Sequence, residues 1–310
     1  QLIYDGSAVV DSVVTPGDET IDQIGVYAQY ETTLPGGVVA LPGLRLESHS
    51  NFGEFLSPSL NLMRDISQRY RLRGFIGRGF RAPSIKEQYF EFNHSSEGYL
   101  VIGNPDLKPE TSINSSLSLE ISQGDVAEYR ITAFYNHLNN LIEFDSVTST
   151  PEFPVGIYEY RNIISARTRG FEFQSRWRYS EHVTLDVSYD FLDAVDLSTG
   201  ARLLNHAQHT GSVLLKLQRL PVPQLSFSAW AQIEAKKLVL TRAETTFDRS
   251  ETGVPKDAPV HAPIGFSIAH QLNDYLTLSG KVENLFDKTD YLLGQTEPRT
   301  VSVRLSLNTQ

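Results

Sequence analysis

Apolar and polar residues alternate with a period of two along most of this chain, the pattern of strands with one face in an apolar environment. Val301, Val303, Leu305 and Leu307 alternate with Thr300, Ser302, Arg304, Ser306 and Asn308. Leu276, Leu278, Gly280 and Val282 alternate with Thr277, Ser279, Lys281 and Glu283. Val183, Leu185, Val187, Tyr189 and Phe191 alternate with Thr184, Asp186, Ser188 and Asp190. The same reading covers residues 113–121, 129–137, 171–179, 225–233 and 264–270. It predicts about thirteen strands, many near the roughly 9–11 residues that a tilted strand needs to cross a bilayer.

The connections alternate in length. Short turns are predicted at 34–37, 65–69, 123–125, 180–182, 220–223 and 273–274, and long loops at 81–110, 146–156, 196–208, 241–261 and 286–297. Turns on one rim and long loops on the other are the outer-membrane barrel rhythm, with the turns periplasmic and the loops extracellular. A soluble β-sandwich needs no such regularity. Tyr30, Tyr70, Trp177, Tyr179 and Trp230 lie near strand ends. They fit interfacial girdles and equally an ordinary β-rich composition. Trp230 falls in register with the polar positions, which points it to the lumen.

Composition narrows the picture. The 310 residues are 40% hydrophobic, with no Cys, one Met and a net charge of -10. No run of about 18 apolar residues predicts a membrane helix, which leaves a barrel open. The lack of Cys removes disulfides and thiolate metal sites. The acidic balance argues against nucleic acid as a partner. No signal peptide is recognisable, so for an envelope protein the chain is mature, cut or a fragment.

Five blocks stand in order: Phe80-Arg81-Ala82-Pro83-Ser84, then Gly103 to Glu110 (GNPDLKPE), Tyr160 to Asn162 (YRN), Arg169 to Phe173 (RGFEF) and Glu283 to Tyr291 (ENLFDKTDY). In this order they resemble the barrel of TonB-dependent outer-membrane receptors, from about residue 20 onward. The resemblance implies an all-β, transmembrane antiparallel barrel. It implies import of a metal-bearing nutrient (a ferric siderophore, cobalamin or haem) across the outer membrane, with TonB supplying energy through a plug domain. The family barrel has about 22 strands. The chain therefore reads as roughly the C-terminal thirteen, with plug and first strands absent and residues 1–23 part of a surface loop. Family barrels commonly end in an aromatic residue, and here the end is Leu307-Asn308-Thr309-Gln310.

Candidate chemistry gathers between the first two blocks. Pro83, Pro105 and Pro109 with Asn104 and Asp106 suit a structural role at the base of a loop. His94 lies between the blocks. Haem receptors of the family resemble this layout, which implies His94 as an iron ligand with Tyr99 or Phe92 on the macrocycle. The competing reading is an ordinary loop histidine. Arg81 completes the ligand candidates. Arg71, Arg73, Arg176, Arg178 and Lys216 are expected to line the lumen. Asp186 and Asp190 share that face, either favouring cations there or pairing with Arg176 and Arg178. His206 and His209 read as residues of a structural loop, and Asp193 and Asp196 continue beyond their strand. No catalytic fingerprint occurs, so an outer-membrane enzyme is disfavoured. A passive porin-like channel or surface-receptor barrel is the alternative to an energy-coupled receptor. On the lipid face, Leu305→Arg is expected to cost about 2–4 kcal/mol near the midplane.

Overall fold

The computed structural model describes residues 2–3, 21–154, 156–219, 222–241, 254–289 and 298–307. Its first strands are β1 (Leu2–Ile3), β2 (Gln23–Tyr30), β3 (Thr32–Leu34), β4 (Val38–His49), β5 (Gly53–Asp65) and β6 (Tyr70–Arg81). A short helix α1 (Ile85–Tyr89) and a hairpin of β7 (Glu91–His94) and β8 (Tyr99–Ile102) follow. Then come β9 (Glu110–Gln123), β10 (Ala127–Thr148), β11 (Gly156–Ser180), β12 (Val183–Asp196) and β13 (Ala207–Gln218). The remainder are β14 (Leu225–Thr241), β15 (Val254–Asp257), β16 (Ile264–Gln271), β17 (Leu276–Glu283) and β18 (Thr300–Leu307).

The wall is an antiparallel meander: β2, β4, β5, β6, β9, β10, β11, β12, β13, β14, β16, β17 and β18 each pair with the next. About thirteen strands were expected, and the eight segments read from alternation lie in β9, β10, β11, β12, β14, β16, β17 and β18. Among the described residues β18 pairs only with β17, and β1 covers only the Gln29–Tyr30 end of β2. That contact puts Leu2 and Ile3 in the wall near the turn rim, not in the surface loop expected of residues 1–23; residues 4–20 lie outside the described set. So do Asp290 and Tyr291 of the last block and the chain end at 308–310.

Register fixes the faces, because a strand's side chains alternate strictly. One transverse row reads Leu72, Leu119, Ile131, Phe173, Tyr189, Gly211 and Ile233. This face is apolar yet open: Ile131 is 44% exposed and Leu117 55%. The opposite face carries Arg71 beside Glu120, Glu128 beside Arg176, and Arg176 beside Asp186. An exposed apolar face backed by a charged one is a barrel wall with lipid outside and a polar lumen inside. Leu305 sits opposite Leu278 on the lipid face, as alternation predicted.

Three features depart from the expected rhythm. β10 and β11 run 22 and 25 residues, beyond the crossing length, so their ends stand past the loop rim. The 81–110 connection is structured, and its β8 adds in parallel to β11 through Tyr99–Gly156 and Ile102–Glu159. The β4–β5 connection is short although it lies on the loop rim. No helix among the described residues is long and apolar enough to cross a membrane.

Candidate functional site: the loop rim and the lumen wall

At the loop rim the first three blocks form one clasp. Ser84 caps α1: its hydroxyl accepts from the Glu87 amide, and the Glu87 carboxylate accepts from the Ser84 amide (2.7 Å). This reciprocal capping box satisfies two donors that a helix start leaves open. Glu87 also receives Arg81 at 3.0 Å. Arg81 grips Glu110 with two nitrogens, at 2.7 and 2.5 Å, and Glu110 in turn accepts from the Ile142 amide (2.8 Å). The bonded Glu110 carboxylate, with Glu87 beside it, raises the Arg81 guanidinium further above its ordinary range. Burial works against ionisation of Glu87. The bonds from Ser84 and Arg81 outweigh it and hold Glu87 below the ordinary carboxylate range.

The second block closes onto this helix. Gly103 donates to the Phe90 carbonyl (2.6 Å), and a Cβ on Gly103 would meet the Gln88 backbone at 2.6 Å, so only glycine fits. Asn104 donates through Nδ2 to the Tyr160 carbonyl (3.0 Å), while its Oδ1 accepts from the Asp106 amide. Asn162, from the third block, accepts from the Lys108 amide (2.8 Å) and donates to the carbonyls of Lys108 and Asn140. Asn140 stands in the left-handed region at φ 55 and donates to the Pro109 carbonyl. Beneath the clasp Gln88, Pro83 and Leu107 are buried. The motif residues thus bind one another, as their turn chemistry suggested. Sequence reasoning singled out Arg81 and placed Glu110 and Asn162 within their blocks without assigning them partners, and it missed Glu87 and Asn140. The Ser84-x-x-Glu87 spacing was the available signal.

Above the clasp rises the β7–β8 hairpin. His94 pairs through its backbone with Tyr99. The exposed Phe92 ring lies 5.9 Å from Phe90 and 6.1 Å from Tyr99, and Lys86 Nζ sits 5.3 Å over Phe90. On the adjoining extension of β10 and β11, Phe144 stacks on Tyr158 at 5.2 Å and packs on Tyr160 at 5.1 Å. The rim therefore presents aromatic faces held on the short β7–β8 hairpin and on the extended ends of β10 and β11. Among the described residues no group of three or more acidic or histidine side chains is placed to hold a metal ion.

The lumen candidates are all in ion pairs. Arg71 meets Asp65 at 2.5 Å, and Glu120 receives Arg73 at 3.0 Å and Arg130 at 2.9 Å. Arg176 meets Asp186 at 2.6 Å with Lys216 at 3.9 Å from the same carboxylate, while Arg178 reaches Glu128 at 3.0 Å. Asp186 thus pairs as expected. Arg178 turns to Glu128, because Thr184 is its register partner on β12. Asp190 accepts from Thr210 and stands directly opposite Glu172, so the lumen is carboxylate-rich higher up. Trp230 lies on the lumen side over Gly265, with Lys281 5.5 Å from its ring, as its register predicted. Trp177 and Tyr179 pack edge-on at the turn end of the lipid face, near Tyr129. His209 is part of β13 rather than of a loop, and Tyr189 Oη lies 2.7 Å from its Nδ1 on the lipid face. Asp196 accepts from Ser198 and Thr199 in a tight turn, and His206 contacts the Leu204 carbonyl.

Residues 3–285 match the family described as TonB dependent receptor-like, beta-barrel. The chain is similar to the iron-regulated outer membrane virulence protein of Vibrio cholerae, 30% identical over 258 residues, covering 79% of this chain and 38% of that protein. It is 27% identical over 287 residues to the ferrienterobactin receptor of Escherichia coli, covering 88% of this chain and 37% of that one. A crystal structure of a mutant ferric enterobactin receptor from Pseudomonas aeruginosa shares the fold. Its TM-score is 0.72 at 23% identity, over 93% of this chain and 45% of that one. The chain spans well under half the length of these relatives.

Proposed function

We propose, from the premise that this chain belongs to the TonB-dependent receptor β-barrel family, that it forms part of an energy-coupled importer of a ferric siderophore. Its wall lies in the outer membrane, the place its relatives are named for. One observation carries the reading: a charge-lined lumen wall continues into a pinned, aromatic loop rim. Relatives named for iron regulation and for ferrienterobactin favour an iron chelate over cobalamin or haem. Phe92 and Tyr99 are the ligand contacts in this reading. Arg81 is a positioning residue, since both its carboxylate partners belong to the clasp. Arg71, Arg73, Arg176, Arg178 and Lys216 line the path. The protein works with a plug domain that takes energy from TonB, and with further strands that pair the edges of β2 and β18. Open edges in lipid leave backbone groups unsatisfied, at several kcal/mol each. It carries out no covalent step.

The test is a titration of the receptor in detergent with a ferric catecholate, a ferric hydroxamate, cobalamin and haem, alongside His94→Ala. A ferric siderophore is expected to bind wild type and His94→Ala alike. Haem binding that disappears in His94→Ala overturns the siderophore reading. Uptake by cells with and without TonB separates import from passive passage.

A further inference from the structure

A cavity of about 480 Å³ lies at the loop rim, where the start of β2 and the end of β4 meet the segment between β6 and α1. Register gives its side. The row Gly43, Ser59 and Gly77 carries the lumen face of β6 across to β4, and Arg81 and His49 lie on that face. Gln23 stands opposite His49 on β2. Ile21, Phe80, Ala82, Pro83 and Ile85 make the walls apolar, and Ile21 and Pro83 are buried. Neither Phe92 nor Tyr99 lines this space. Apolar walls with a few polar groups, at this size, are what small-molecule sites share.

Most of its polar groups already have partners. Gln23 gives its side-chain N–H to Glu47 (2.8 Å), and Arg81 is held by Glu87 and Glu110. The Ser84 hydroxyl bonds the amide and the carboxylate of Glu87. His49 differs. It is only 3% exposed, and its Nδ1 accepts from the Asn51 amide (3.2 Å). That bond puts the proton of a neutral ring on Nε2. Among the described residues Nε2 has no acceptor, and it is not sealed inside the protein, so its N–H faces the cavity that the ring borders. A donor held in a buried ring costs stability unless something accepts from it. Lys86, exposed at the start of α1, adds an ammonium at the cavity's edge.

We propose that this cavity binds a small organic acid, an aryl or short alkyl body carrying one carboxylate. The apolar walls take the body. The His49 Nε2–H and the Lys86 ammonium take the carboxylate, a neutral and a charged donor against an anion. Arg81 is committed to the clasp, so the one uncommitted charge on the lining is positive. A cation is therefore repelled, and an uncharged apolar molecule leaves both donors unused. The carboxylate can come from a free acid or from an arm of the imported chelate, and the recognition is the same. Only the second source rests on the import reading; the site itself does not.

The test uses the whole receptor in detergent, with benzoate as the probe, benzyl alcohol as its uncharged match and saturation-transfer NMR as the readout. Wild type is expected to bind benzoate and not benzyl alcohol. Ile85→Trp fills the cavity, and His49→Phe keeps a ring while removing the donor. Each is expected to weaken benzoate binding about tenfold. If either variant does not fold, Lys86→Gln at the exposed edge replaces it, with a smaller loss in the same direction. Equal benzoate binding by wild type and variants overturns the proposal. So does equal binding of benzyl alcohol, or no benzoate signal at all. Ferric siderophore binding by wild type is measured separately, so a failure of the import reading leaves the benzoate result standing. Displacement of benzoate by a ferric siderophore that bears a free carboxylate assigns the site to the chelate's arm. Benzoate that stays in place assigns it to a free acid, and both results uphold the site.

Discussion

The two faces of one strand obey opposite rules. On β10, Ile131 and Ala133 face lipid, while Arg130 and Thr132, one residue away, face the lumen. Arg130 shares Glu120 with Arg73, and Thr132 is bonded to Ser118 at 2.8 Å. Ile131, with 44% of its surface exposed, has no such partner and needs none. In water that exposure would be a liability; in lipid it is burial. The polar face instead has to satisfy each group, by cross-strand pairs or by lumen water. Exposure therefore misleads about the energetics of this wall unless the face is known.

The largest predicted effect breaks the lipid side of this contrast. Ile131→Arg is expected to cost about 2–4 kcal/mol in a urea titration of the receptor folded into vesicles. A cost near zero would place the apolar face elsewhere than in the hydrocarbon.

Next in size is a limit on the lumen side. A Cβ at Gly170 would lie 1.8 Å from the Phe191 carbonyl oxygen. Backbone there has to move, so Gly170→Ala is expected to cost about 1–3 kcal/mol in the same titration. The lumen face tolerates charge but not bulk at that point.

The clasp comes third. Glu110→Gln weakens the pair of hydrogen bonds from Arg81 and is expected to cost about 1–2 kcal/mol locally. Faster proteolysis between residues 82 and 102 is the readout. Acid should act on the same element. Glu87 has its folded value lowered, so its contribution is present above the ordinary carboxylate range and is lost as pH falls through the folded value. Amide exchange in α1 should therefore rise as the pH falls below the ordinary carboxylate range. Exchange that does not change with acid would remove Glu87 from the clasp.

The smallest effect tests whether lumen pairs hold the fold. Asp186→Asn leaves Arg176 and Lys216, both substantially exposed, without their carboxylate. A cost of about 0–1 kcal/mol is expected, because solvated ion pairs contribute little. Weaker nutrient uptake with unchanged stability would assign that pair to the path instead of the scaffold.

The wall itself was legible in the sequence. Alternation in residues 113–121 and 171–179 anticipated β9 and the membrane part of β11, since a period of two is a local property that lipid and lumen enforce on every strand. Trp230 was assigned to the lumen on the same ground. The long extensions of β10 and β11 were not legible. Beyond the membrane both faces meet water or other loops, and the alternation that marks a strand fades.

The site divides in the same way. Sequence determined which residues are turn formers: Pro83, Gly103, Asn104 and Pro109 announce a pinned loop through φ restriction and side-chain bonds to backbone. Only the tertiary structure decided that Glu110 joins Arg81, and that Asn162 ties Lys108 to Asn140, because those partners lie far apart in the chain. It also decided that Arg78, His137 and Arg167 stand in one outward row. Each strand by itself specifies its two faces, but only strand register specifies which residues on neighbouring strands meet.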